Sequence, residues 1–230
     1  LTSELVKLVQ AMQEIKSEED SRVNSYEIFV NQKQTHIRNS RGVDVTFSGF
    51  DCEIEVVTNS RKDDHEIEIY RDLRFSDKSA EKIIAEVRGM CHTGRQRLNA
   101  VPTRQNEHAD VLLSGDAVGS FFQYFAMHTN ASYQYMGVAK AKIGESITGA
   151  DADPLNIRLV PTLDGSAKNA PYDETGMPVA ERVLFENGIC RSYWGSLQHA
   201  HYIGMKDTTS MNNMVVEGGS KTLDELRSMP

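Results

Sequence analysis

The residues of this 230-residue chain that could do chemistry fall in four places. The stretch Asp110 to Ala126, DVLLSGDAVGSFFQYFA, sets Ser114, Asp116 and Ser120 around a small-residue turn. What it offers there is one carboxylate flanked by hydroxyls. Asp173 and Glu174 are adjacent in the turn PYDETGMP, and two carboxylates can act as general acid and base. Adjacent carboxylates in a Gly/Pro turn also have the simpler use of holding that turn. His199 and His201 are separated by one residue. On a strand they would share a face, and on a helix they would diverge by about 200°. A metal site there would need a third and a fourth ligand that spacing does not supply. Asp151-Ala152-Asp153-Pro154 has the composition of a cation loop but lacks the further ligands and closing Glu of a calcium site.

Other chemistries find no support. No Ser sits in G-x-S-x-G, and no Gly-rich run matches a P-loop or a dinucleotide fingerprint. His36, His65 and His92 lack ligand spacing and read as surface or strand-edge residues. Arg95, Arg97 and Arg104 read as a solvated connection after a helix, with a phosphate or acidic-peptide contact as the alternative. Cys52, Cys91 and Cys190 are odd in number and far apart, so buried free thiols of a reducing compartment are expected. The net charge of -8 disfavours direct nucleic-acid binding, which draws its affinity from Lys and Arg on phosphates. The longest apolar runs fall far short of a membrane span, and the amphipathic N-terminus is not a signal peptide. A cytoplasmic protein is expected. The start at Leu1 and the stop at Pro230 suggest a piece of a longer chain.

Several elements must position these groups. Leu5, Leu8, Val9, Met12 and Ile15 form a helical stripe, capped by Thr2 or Ser3 and ended by Ser17 to Asp20. Tyr26 to Val30 and Thr35 to Arg38 read as a hairpin across polar Asn31 to Gln34, and Asn39 to Gly42 as a turn. Alternation at Val43, Val45 and Phe47, at Cys52 to Val57 and at Glu66 to Tyr70 reads as antiparallel sheet with one wet face. A helix is expected from about Ser79 to Cys91, with Ile83, Ile84 and Val87 inward. Pro102 to Asn106 marks a boundary between a helix-meander-helix region, 1–107, and a second region, 108–230.

In the second region Val111-Leu112-Leu113 reads as a strand feeding a helix whose inner face is Ala117, Val118, Phe121, Phe122 and Phe125. Thr129 to Ser132 reads as a loop, and Ile157 to Pro161 as a strand. Glu181 to Phe185 and Ile189 to Trp194 flank Asn187-Gly188, a strong hairpin signal. This order predicts an α+β fold, antiparallel sheets with helical cover. The residues alone stop there, with no visible active site.

Asn39-Ser40-Arg41-Gly42, Val111-Leu112-Leu113-Ser114, the D-E-T-G-M-P turn at 173–178 and the E-N-G hairpin within Leu184 to Gly204 together carry a resemblance. The chain resembles the TldD/PmbA proteins, a peptidase family once called modulators of DNA gyrase. The resemblance spans most of the chain and implies that the family's N-terminal domain and the end of its C-terminal domain are missing. In the family, the zinc subunit TldD is expected to carry H-E-x-x-x-H on the helix after the strand. Laid on that motif, this chain reads Gly115-Asp116-Ala117-Val118-Gly119-Ser120. Both histidine positions are lost, and Asp116 stands one methylene short of the Glu.

The resemblance therefore implies the PmbA (TldE) type, which lacks its own catalytic zinc and pairs with a TldD-like zinc subunit or with itself as a dimer. The shared task would be cleavage of small or unfolded peptides, with extended peptide added to a sheet edge. No cofactor is expected in this chain, and zinc is expected in the partner. Two alternatives stand beside this. One is an autonomous peptidase or hydrolase using Asp116, Asp173, Glu174, His199 and His201. The other is a self-associating binding protein, a gyrase modulator without enzymatic activity.

Overall fold

The computed structural model describes residues 2–15, 20–76, 80–103, 105, 107–149 and 152–229. Ser17, Ser79, Arg104, Asn106 and Asp151, which carried sequence expectations, lie outside them. The chain divides into two units, one of residues 1–34, 48–105 and 164–167 and the other of 35–47, 106–163 and 168–230.

The first unit contains helix α1 (Thr2–Glu14), most of strands β1 (Ser21–Arg38) and β2 (Asp44–Lys62), strand β3 (His65–Phe75) and helix α2 (Ala80–Leu98). The strands lie in the order β1-β2-β3, and β2 pairs with β3 antiparallel from Cys52↔Phe75 to Lys62↔His65. Period-two alternation puts Cys52, Ile54, Val56, Thr58 and Ser60 on one buried face. Ile83, Val87 and Met90 of α2 and Leu8 and Met12 of α1 belong to the same buried cluster. Each fully buried aliphatic side chain contributes about 1.5–3 kcal/mol. The outer face is wet, as expected: Glu53 pairs with Arg74 across the β2–β3 ladder at 2.7 Å.

Several local expectations are corrected here. Residues 31–34 do not turn, and β1 runs through them without a break. Asn-Gln-Lys-Gln holds no glycine or proline to force a turn, and exposed polar side chains are tolerated on a strand. The chain turns instead after Arg38, where Gly42 has φ 89° and Asn39 Oδ1 accepts from the N–H groups of Arg41 and Val43 at 2.9 and 3.2 Å. Ser3 lies inside α1, which is described from Thr2 onward, rather than ahead of it as a cap. Helix α2 continues seven residues past Cys91, so Arg95 and Arg97 occupy its last turn instead of a linker. Cations there face the negative end of the helix dipole. His36, His65 and His92 are exposed, and the three cysteines are buried and free.

The second unit contains helices α3 (Asp116–His128), α4 (Ala131–Tyr135), α5 (Leu197–Tyr202) and α6 (Leu223–Arg227). Its strands are β4 (Ile157–Val160), β5 (Arg182–Glu186), β6 (Ile189–Cys190) and β7 (Asn213–Val216), in the order β6-β5-β4-β7 with every pair antiparallel. The fold is α+β. The β5–β6 hairpin turns at Asn187 and Gly188 with φ 51° and 78°, the positive-φ pair of a two-residue type I′ loop.

The return strand is shorter than expected. It ends at Cys190, and Trp194 docks on the end of α3 instead. Its indole N–H donates to the Ala126 carbonyl at 2.8 Å, its backbone N–H to the Thr129 carbonyl at 3.1 Å, and its carbonyl accepts from Ala131 N–H at 2.7 Å. Of the expected loop at 129–132, Thr129 and Asn130 connect α3 to α4 while Ala131 and Ser132 already belong to α4, and the Asn130 side chain accepts from Ser132 N–H at 2.8 Å as its N-cap. Leu155, Ile157, Leu159, Leu184, Phe185, Cys190 and Trp194 make the core of this unit. Among the described residues, no helix is long and apolar enough to cross a membrane.

Candidate functional site

The helix singled out by the sequence, α3, is anchored at its C-terminal half and bare at its start. Phe122 and Phe125 are half-buried, and Phe125 meets Phe185 of β5 edge-on with ring centroids 6.4 Å apart. Ala126 is fully buried under Trp194. Every residue from 111 to 121 is exposed. This corrects two expectations. Val111-Leu112-Leu113 forms no strand, and Val111 is 75% exposed. Ala117, Val118 and Phe121 are not an inner face: all three are exposed, and the ring contacts of Phe121 are with Phe122 and Phe125 of its own helix.

At the head of α3, Gly115 is the N-cap residue with φ 59° and ψ -137°, and no side chain caps the helix. That left-handed φ suits a residue without Cβ. Asp116 occupies the first turn. The Ser120 hydroxyl donates to the Asp116 carbonyl at 3.1 Å, the usual back-bond of a mid-helix serine. Zinc sites are built from imidazole, thiolate and carboxylate donors. Gly115 has no side chain to donate and Ser120 has only its hydroxyl, so these three positions do not fit a zinc ion. Among the described residues, no group of three or more His, Cys, Asp or Glu side chains is placed to hold a metal.

Asp173 belongs to its own turn. Its Oδ1 accepts from Thr175 N–H at 2.8 Å, Thr175 Oγ1–H at 2.7 Å and Met177 N–H at 3.0 Å. The backbone closes the same loop, with Asp173 N–H on the Met177 carbonyl at 2.9 Å and a bridge between Tyr172 and Pro178. Glu174 is exposed. The geometry separates a structural from a chemical role. Asp173→Asn keeps the accepting oxygen and is expected to lose little stability, whereas Asp173→Ala is expected to lose about 1–3 kcal/mol. Urea unfolding of both variants measures this, and equal losses would remove the assignment.

His199 and His201 lie on α5, which settles the strand-or-helix alternative: the two rings diverge. His199 Nδ1 is 2.9 Å from Ser196 Oγ, and its ring lies against Tyr135 and Tyr202 at 5.9 and 6.0 Å. His201 is exposed. No hydrogen bond or ion pair among the described residues joins either histidine to Asp116, Asp173 or Glu174.

One residue the sequence reading passed over is His128, on the last turn of α3 and only 9% exposed. Tyr124 meets its ring edge-on at 4.4 Å, and Tyr133 lies 6.0 Å away. Burial, and next the Lys140 cation, hold its pKa below the usual 6.5. A signal was present: His128 stands three residues after Phe125 and four after Tyr124, on the continuing stripe of α3.

A sequence profile of the PmbA/TldA metallopeptidase C-terminal domain matches residues 106–229. No curated protein matches the chain in sequence. Among solved structures, TldE from Thermococcus kodakarensis is similar at TM-score 0.73 and 19% identity, over 98% of this chain and 53% of that one. A proposed modulator of a DNA gyrase from Thermotoga maritima follows at TM-score 0.68 and 18% identity, over 98% and 54%. A Bacteroides thetaiotaomicron protein described in the same terms gives TM-score 0.65 and 16% identity, over 98% and 52%. The chain thus spans about half the length of these structures, and at such identities they speak for the fold. With the profile covering more than half of its residues, the chain belongs to the TldD/PmbA family of metallopeptidase-related proteins.

Proposed function

We propose that this chain is a PmbA/TldE-type component of a TldD/PmbA-type metalloprotease, without a catalytic zinc of its own. In this reading it works in the cytoplasm beside a zinc-bearing TldD-like subunit, or paired with itself, on small or unfolded peptides. Residues 1–107 form its central region, and 108–230 begin its C-terminal domain. The observation that carries the reading is the head of α3. Gly115 and Ser120 stand at the two positions where the family resemblance calls for histidines, and the backbone at Gly115 has a φ that favours glycine. Without imidazoles there is no metal to lower the pKa of a water, and Asp116 alone does not generate a nucleophile at neutral pH. The exposed apolar residues Val111, Leu112, Leu113 and Phe121 support a role that includes contact with another polypeptide.

Elemental analysis and a cleavage assay on an unfolded peptide test this together. The expected result is far less than one zinc per chain, no cleavage by the chain alone, and cleavage by its mixture with a zinc-bearing TldD-like protein. Stoichiometric zinc that disappears in His199→Ala or His201→Ala would overturn it.

A further inference from the structure

The end of α3 holds an arrangement that the proposed function does not use and that stands independently of it. The backbone N–H of Lys140 donates to His128 Nδ1 at 3.2 Å. This makes Nδ1 an acceptor, so the ring is neutral with its proton on Nε2. The same lysine reaches back to α3 with its side chain: Nζ donates to the Tyr124 hydroxyl at 2.9 Å and lies 5.4 Å from that ring's centroid. Gln134 of α4 bridges the same two pieces of chain, donating to the His128 carbonyl at 3.1 Å and the Ala141 carbonyl at 2.8 Å. The segment after α4 is therefore tied to the last turn of α3 by one titratable acceptor, His128, and by the amide of Gln134, which carries no titratable group.

We propose that His128 is a pH-sensitive latch: its neutral ring holds the Lys140 segment against the end of α3, and its protonated ring releases it. Protonation places a hydrogen on Nδ1. The acceptor becomes a donor, and two N–H groups then face each other across the former bond. The new imidazolium also sits beside the Lys140 ammonium. The groups facing the ring are Tyr124 from α3, Tyr133 from α4 and Lys140 from the following segment. Among the described residues no carboxylate pairs with the ring to offset the charge, and burial raises the cost of that charge.

The opening is local. On one side Val138 and Ala139 N–H groups stay on the Tyr133 carbonyl at 3.1 and 3.2 Å, and on the other Gly144 N–H stays on the Cys190 carbonyl at 2.8 Å. What is released is Lys140 itself, and with it the Lys140 cover over Tyr124 on the outer side of α3, because Ala141 beyond it stays buried with its carbonyl accepting from Gln134 at 2.8 Å and from the Tyr193 hydroxyl at 3.3 Å.

The sign follows from linkage. An unfolded chain takes up this proton near 6.5, and the folded chain takes it up only at lower pH. Between those values the unfolded chain binds more protons, so the latch's contribution to stability is complete above about pH 6.5 and declines as the pH falls toward the lowered value.

The test is nuclear magnetic resonance of the ¹⁵N-labelled 230-residue chain from pH 8 to pH 5, following the His128 ring nitrogens and the Lys140 amide. The expected result is an unprotonated, hydrogen-bonded Nδ1 at pH 7.5. On lowering the pH, protection of the Lys140 amide, corrected for intrinsic exchange, falls at least tenfold in step with His128 titration. In His128→Asn the side-chain oxygen replaces Nδ1 as acceptor and does not titrate, so protection stays flat. Protection unchanged through the titration of His128 would overturn the proposal, as would the same step in His128→Asn. If that variant does not fold, the wild-type comparison of the two signals decides alone.

Discussion

Phe185→Ala is expected to destabilise the second unit by about 3–5 kcal/mol, the range for removing a fully buried aromatic side chain and leaving a cavity. Phe185 is 1% exposed and is among the largest fully buried side chains. It lies on β5 opposite Ile157 of β4 on one side and Cys190 of β6 on the other, so three strands share its packing. Its ring also receives Phe125 edge-on at 83°, which ties the buried half of α3 to the sheet. The chain's one tryptophan, Trp194, sits in the same cluster, so its fluorescence during urea unfolding reports this unit. Phe185→Leu, which keeps most of the apolar volume, should lose much less. A midpoint for Phe185→Ala within experimental error of the parent would show that the sheet closes over the gap and that α3 does not depend on this ring.

The second large effect is expected at Gly176, in the D-E-T-G-M-P turn. Gly176 has φ 81°, and a Cβ there would stand 2.5 Å from Val43 Cγ1, 3.3 Å from Ile37 Cγ2 and 3.4 Å from Val45 Cγ2. Two penalties therefore fall on Gly176→Ala. Left-handed backbone in a residue with Cβ costs about 1–2 kcal/mol, and forcing a methyl group into packed neighbours costs about 1–3 kcal/mol. The two separate in a double variant. Val43→Ala removes the nearest obstructing methyl, so adding it to Gly176→Ala should recover part of the packing loss and none of the backbone loss. Trp194 fluorescence in urea measures all three variants, and strictly additive losses would show that the methyl contact is not what keeps this position a glycine.

Gly176 also shows why the turn reads as it does. Asp173 accepts three hydrogen bonds from the loop, and Gly176, whose N–H returns to the Asp173 carbonyl at 3.0 Å, supplies the φ that brings Met177 opposite Asp173, where its carbonyl accepts from Asp173 N–H at 2.9 Å. The pair of carboxylates that suggested acid–base chemistry thus resolves into one acceptor that builds the turn and one exposed side chain.

What was legible in the amino-acid sequence is what short-range physics controls. The two-residue loop at Asn187-Gly188, the turn ending at Gly42, the alternation along β2 and β3 and the inward stripe of α2 all depend on φ requirements and periodicities confined to a few neighbouring residues. The types at 115, 116 and 120 were equally plain, because the absence of imidazoles at those positions needs no structure to read. The tertiary structure decided the rest. Whether polar residues 31–34 turn or extend depends on a partner strand, and β2 runs alongside them. Whether Val111 to Phe121 is core or surface depends on what packs against it, and an apolar pattern cannot say whether anything does. The reading of His199 and His201 depended on whether their backbone was helix or strand. His128 became notable only when Lys140 was brought to its ring from twelve residues away. Local conformation is written in neighbouring side chains, whereas burial, strand continuity and the protonation of a buried ring belong to groups that meet only after the chain has folded.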